Sequence, residues 1–75
     1  MEHKQLKRHL NARAMEIHDE LVKMSERISN AREGEVIALK CDASCLKARY
    51  DELRRLGEQF NIIILTLKPI PYVTD

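Results

Sequence analysis

Two cysteines, Cys41 and Cys45, come closest to a reactive pair in this 75-residue sequence. Cys45 is expected in the first turn of a helix, where the helix dipole favours the nucleophilic thiolate. The spacing is C-x3-C rather than the C-x-x-C of thiol oxidoreductases, and both cysteines fall on positions that indicate the protein core. Buried thiols are the competing interpretation, so a thiol redox protein is the third of three functional hypotheses.

The three histidines, His3, His9 and His18, are spaced six and nine residues apart. Neither pair shares a helix face at ligand spacing, so the sequence predicts no metal site and no cofactor. His18 lies within the apolar arc of the first predicted helix, and a histidine there can change its charge near neutral pH. His18 is therefore a candidate switch, with a satisfied interface histidine as the alternative.

Basic residues near the N-terminus could contact nucleic acid if a helix end entered a major groove; they are Lys4, Lys7, Arg8 and Arg13. A nucleic-acid-binding transcriptional regulator with basic N-terminal helix ends is therefore the second hypothesis. The chain balances 13 basic against 12 acidic side chains, for a net charge of +1, whereas domains that bind phosphate backbones are usually strongly basic. A solvated helix end is the competing interpretation.

Arg49 interrupts the apolar stripe of the second predicted helix, where an unpaired charge is costly. Its long side chain can extend to the edge of the predicted sheet, or it can form an intersubunit salt bridge.

Residues 1–33 are predicted to form one long amphipathic helix, because their apolar side chains recur in steps of three and four. Gly34 is expected to cap its C-terminus. Residues 35–41 and 61–68 are apolar on both pleat faces and are predicted to be buried parallel strands. A helix capped by Asp42 or Ser44 and ending at Gly57 is expected to connect them.

The sequence thus predicts an α+β fold in the order α-β-α-β. It comprises one small domain over residues 1–75: the long helix (1–33), a β-α-β unit (35–68) and an extended tail (69–75), in which two prolines favour extended backbone.

Self-association is predicted because two strands and one covering helix cannot bury both faces of a sheet. Half of the first helix would project beyond that sheet with its apolar stripe uncovered. The predicted homodimer interface comprises Leu6, Leu10, Ala14, Ile17, Leu21, Met24 and Ile28.

The leading hypothesis is a small homodimeric protein-interaction or regulatory protein, of adaptor or inhibitor type, without catalytic activity. Its expected partners are a second copy and another protein, with nucleic acid less favoured and no membrane. The charged N-terminal residues contain no apolar signal-peptide core, so a cytoplasmic location is expected.

Overall fold

The computed structural model describes residues 3–73 and contains two long helices followed by an extended segment. Helix α1 spans His3–Asn30 and helix α2 spans Glu33–Gln59. Ala31 and Arg32 form the connection, which makes the helices an antiparallel hairpin. The molecule measures 47 × 18 × 15 Å. Its length is that of a single helix, since 28 residues at about 1.5 Å each give about 42 Å.

The two helices pack along matching apolar stripes. On α1, the buried apolar residues are Leu10, Ala14, Ile17, Leu21 and Ile28. On α2, one buried residue recurs every seven positions, and half-buried leucines alternate with them; the stripe is Leu39, Ala43, Leu46, Tyr50, Leu53 and Gly57. Steps of three and four over such a length are typical of two helices packed side by side in a coiled-coil arrangement.

The predicted α+β fold is wrong, because residues 3–73 form no strand and no sheet. Residues 35–41, predicted to be the first strand, lie in the first turns of α2. In a segment of seven residues, apolar content alone does not distinguish a buried strand from a helix. Val36 and Leu39 in fact begin the three-four stripe that continues to Gly57, so the helical period decides the conformation of this segment.

The predicted helix ends are also displaced. Gly34 does not cap α1; it lies in the first turn of α2, which follows the extended backbone of Arg32 (φ −75°, ψ 155°). Gly57 does not end α2, which continues to Gln59. The residue that ends it is Asn61, in the left-handed conformation with φ 56°. The N–H groups of Asn61 and Ile62 donate to the carbonyls of Glu58 and Gly57, which forms a Schellman motif.

Residues 61–73, here called the tail, turn back and run along the hairpin. Residues 62–70 contain no helix or turn, and Ile62, Ile64 and Ile70 are each at most 5% exposed within the common core. Residues 61–68 were predicted to be a buried strand, but the tail packs on helices instead of joining a sheet. The predicted extended tail, 69–75, contains a turn over residues 71–73, and residues 74–75 lie outside the described part of the chain.

The residues predicted to form the homodimer interface lie inside the hairpin. Leu10, Ala14, Ile17, Leu21 and Ile28 are each at most 5% exposed in the single chain, and Leu6 and Met24 pack against the same core. The stripe of α1 does not project beyond a sheet, because α2 accompanies it along nearly its full length. The homodimer itself stays a prediction.

Candidate functional site

One face of the hairpin is closed by the tail. The Tyr50 hydroxyl donates a hydrogen bond to the Leu65 carbonyl and accepts one from the Leu67 N–H at 3.3 Å. The Leu65 N–H donates to Asn11 Oδ1 at 2.8 Å, while Asn11 Nδ2 donates to the Lys7 carbonyl at 3.0 Å. We call Asn11 and Tyr50 the tail clamp. In a sheet, a neighbouring strand would pair the backbone groups of the tail. Here one side chain from each helix pairs the N–H and C=O of Leu65 and the N–H of Leu67 instead.

Gly57 determines how closely the tail approaches α2. A Cβ atom at this position would lie 2.8 Å from the Ile62 carbonyl oxygen and 2.8 Å from Ile64 Cγ1. Both distances are shorter than a van der Waals contact, so the tail can occupy this position only over a glycine. The absence of a side chain at Gly57 therefore places Ile62 and Ile64 in the core.

The opposite face carries an apolar furrow between the helices, which we call the open groove. Its floor is formed by Ile17, Leu46, Leu53 and Leu56, and charged side chains border it: Arg13, Glu16, Asp19, Glu20, Lys23, Arg49 and Glu52. The α2 residues of this groove lie about 80° around the helix from Ala43, Tyr50 and Gly57, at 3.6 residues per turn. Ile17 is buried, Leu46 and Leu53 are half-buried and Leu56 is 39% exposed. The tail contributes no residue to it.

The charges that border the open groove are unevenly paired. Arg13 Nη1 lies 2.8 Å from Glu16 Oε2, so this guanidinium has a carboxylate partner on its own helix. Arg49 is exposed and forms no hydrogen bond or ion pair within residues 3–73. The sequence predicted that the Arg49 side chain extends to the edge of a sheet or forms an intersubunit salt bridge. In the described chain it is exposed at the edge of the helix pair, and there is no sheet. An intersubunit salt bridge stays a prediction.

The sequence predicted that both cysteines lie in the core, and this prediction is wrong. Cys41 and Cys45 are free and exposed, two residues on either side of the buried Ala43. Two residues correspond to a rotation of about 200° around a helix, so both thiols point away from α1. This position leaves them accessible to solvent and gives them no described partner for chemistry, and the redox hypothesis stays a prediction.

His18 is half-buried on α1. Its Nδ1 atom is buried, lies 3.5 Å from Asp19 Oδ1 and forms no hydrogen bond with the described residues. A switch role for His18 stays a prediction. Among residues 3–73, no three histidine, cysteine or acidic side chains lie close enough together to hold a metal ion.

Three of the basic residues near the N-terminus, Lys4, Lys7 and Arg8, share one face of α1, and Arg13 lies apart from them. Lys4, Lys7, Arg8 and Arg13 are all exposed on α1, and Arg13 borders the open groove. Arg8 and Arg13 are separated by about 140° around the helix, at 3.6 residues per turn. A role for these four residues in nucleic-acid binding stays a prediction.

Comparison of the chain with protein families, with curated proteins and with solved structures finds no match. Neither helix of the described chain combines the length and the apolar character that crossing a membrane requires.

Sequence reasoning singled out Arg49 but missed the groove beside it. If α2 packed on a sheet, Leu46, Leu53 and Leu56 would be covered by it and no groove would exist. The signal was available in the spacing: Leu56 and Phe60 follow Leu53 at intervals of three and four and widen the apolar stripe on the side away from Tyr50 and Gly57.

Proposed function

We propose that this protein is a small, non-catalytic interaction module of adaptor or inhibitor type, and that its open groove binds an amphipathic helix of another protein. The observation that carries the proposal is the contrast between the two faces of the hairpin. The tail covers one face, whereas on the other face Leu46 and Leu53 are only partly covered by the hairpin and Leu56 is 39% exposed. An apolar furrow between two helices matches the helix-in-groove mode of recognition.

The groove specifies what the partner helix must carry. Its apolar floor requires a stripe of apolar side chains spaced at three and four residues, which would cover Leu46, Leu53 and Leu56. The exposed Arg49 can pair with a carboxylate on the partner through two hydrogen bonds. The carboxylates of Glu20 and Glu52 border the same groove, so the partner stripe is expected to be flanked by basic side chains as well. The groove is a furrow on the surface rather than an enclosed pocket, and this shape favours a helix over a small-molecule substrate.

We place the protein in the cytoplasm. The exposed free thiols of Cys41 and Cys45 support a reducing compartment, where exposed cysteines persist as thiols.

The test compares partner capture by two matched variants. Leu56→Asp places a charge in the groove at a side chain that is already 39% exposed, and Ile37→Asp places the same charge at a side chain that is 78% exposed outside the groove. Affinity purification with mass spectrometry should recover a protein with the parent and with Ile37→Asp, and at least tenfold less of it with Leu56→Asp.

A synthetic helix from the recovered protein should then bind the isolated chain, and Arg49→Glu should weaken that binding. Equal recovery with Leu56→Asp and Ile37→Asp would overturn the proposal. Recovery of nucleic acid without protein would instead favour the transcriptional regulator.

A further inference from the structure

The two edges of the tail differ in how their backbone groups are used. The tail clamp pairs the N–H and C=O of Leu65 and the N–H of Leu67. In an extended chain, the N–H and C=O of one residue point to the same side and those of the next residue to the other side. The groups of Leu65 and Leu67 therefore define an inner edge, and those of Ile64, Thr66 and Lys68 define an outer edge.

The outer edge is unpaired. The N–H and C=O groups of Ile64, Thr66 and Lys68 form no hydrogen bond within residues 3–73. The space beside Thr66 is open, because this residue borders two surface depressions, one shared with Ile64 and Glu58 and the other with Pro69. A row of free donors and acceptors in an extended segment is a template for another strand.

The side chains of this segment suit such pairing. Residues 61–68 are rich in isoleucine and leucine, with one threonine, and β-branched and apolar residues favour strands. Ile63 is 85% exposed, the most exposed large apolar side chain in the described chain. A second strand would cover part of this side chain.

We propose that the outer edge of the tail pairs with the same edge of a second copy of the chain, as two antiparallel strands with Thr66 opposite Thr66. Ile64 then lies opposite the partner's Lys68, and Lys68 opposite the partner's Ile64. Residues that face each other in this way exchange two hydrogen bonds per pair, so the three pairs use the free groups of Ile64, Thr66 and Lys68 on both copies.

The arrangement of the free groups argues for a second copy. Ile64, Thr66 and Lys68 are symmetric about Thr66, so a two-fold axis at Thr66 matches each free residue to another. Strand pairing between identical edges of two subunits is consistent with the closed two-fold symmetry that most soluble homodimers have.

The charges agree with this register. Lys68 is the only charged residue between positions 61 and 73, and the register places it opposite an isoleucine rather than another lysine. The partner's Lys68 would also come to the depression that Ile64 shares with Glu58 and Arg54, where Glu58 supplies a carboxylate and Arg54 a second cation. The predicted homodimer thereby gains an interface outside the hairpin core. This inference is independent of the open groove, which lies on the other face.

The first experiment removes one outer-edge donor. Thr66→Pro deletes an N–H group that the single chain does not use, and the matched control Thr66→Val keeps the N–H and the branched shape. Light scattering at several hundred micromolar should give about twice 8.8 kDa for the parent and the valine variant, and 8.8 kDa for the proline variant. Far-ultraviolet circular dichroism should show the same helix content in all three.

The second experiment traps the register without relying on the proline variant. In a Cys41→Ser, Cys45→Ser background, Thr66→Cys should oxidise rapidly to a disulfide-linked dimer, because facing residues lie about 5.5 Å apart at Cα, within the range of a disulfide. Lys68→Cys should not, because it faces Ile64 of the second copy. A monomeric parent, a proline variant that remains dimeric, or equal cross-linking at positions 66 and 68 would each overturn the proposal.

Discussion

Gly57 offers the sharpest test of how the tail is held. Replacing it with alanine in an exposed helix would stabilise the protein by about 1 kcal/mol, because glycine is the poorer helix former. Here the added Cβ would lie 2.8 Å from the backbone oxygen of Ile62, which cannot rotate away. Forcing an extra carbon into a packed core typically costs about 1–3 kcal/mol. The steric cost therefore exceeds the helix-propensity gain.

We expect Gly57→Ala to lower the free energy of unfolding by about 1–2 kcal/mol, since the added carbon meets both Ile62 and Ile64. For a domain of this size, that corresponds to a fall in Tm of roughly 5–15 °C. Urea unfolding followed by circular dichroism at 222 nm would measure the change. Hydrogen exchange at the Leu65 amide should also become faster, because displacement of the tail separates it from Asn11.

Gly34→Ala is the matched control. Gly34 also lies in α2, but no atom lies within 4 Å of the position that its Cβ would occupy. We therefore expect Gly34→Ala to be neutral or to stabilise the protein by up to about 1 kcal/mol. If Gly57→Ala proved as stable as Gly34→Ala, the close approach of the tail to α2 would be refuted.

Three further changes probe other parts of the fold. Tyr50→Phe removes the hydroxyl that two tail backbone groups share and should cost about 1–3 kcal/mol in urea unfolding; an unchanged midpoint would argue against the tail clamp. Leu21→Ala, in the hairpin core, should lower the free energy of unfolding by about 2–5 kcal/mol. Its control Met15→Ala, at a position 48% exposed, should lower it by less than about 0.5 kcal/mol. Similar losses for the two variants would contradict the assigned burial. Both thiols, at Cys41 and Cys45, should react with a thiol reagent at full rate in the native protein, whereas reaction only in urea would show that they are buried.

The helical character of the first half of the chain is legible in its sequence. Leu10, Ala14, Ile17 and Leu21 recur in steps of three and four, and a glycine-free run of that length has few other conformations in which one face is apolar. The stripe alone does not show which surface the apolar face of α1 packs against. An apolar helix face packs equally well against a sheet, a second subunit or a neighbouring helix, and only the correct interpretation of residues 35–41 would have distinguished them.

The fold prediction for the second half of the chain is wrong because residues 35–41 fit a strand as well as a helix. Val36, Ile37 and Leu39 are compatible with a strand, and the strand interpretation required Gly34 to end α1. Glycine tolerates the first turn of a helix at a modest cost, so its presence did not separate the two structures. Asn61 carried the more reliable signal, because asparagine is the commonest residue after glycine in the left-handed position that ends a helix.

The open groove could not be derived before the hairpin was known. Its two walls belong to helices that are far apart in sequence at this point, with Arg13 on one and Arg49 on the other. The hypothesis that Arg49 is out of place in an apolar stripe came from the sequence, but the reason for its exposure is geometric. Arg49 lies at the edge of the contact between α1 and α2, where a charged side chain reaches water without leaving its helix.

The contact between Asn11 and Leu65 joins residues 54 positions apart in the chain. The hairpin that precedes the tail is synthesised first and consists of local contacts that form quickly. During translation, the Tyr50 side chain therefore lacks the tail groups that it hydrogen-bonds until the residues beyond Phe60 have left the ribosome. In this interval the nascent chain presents two apolar faces instead of one. The apolar surface available to a chaperone is therefore largest at this stage.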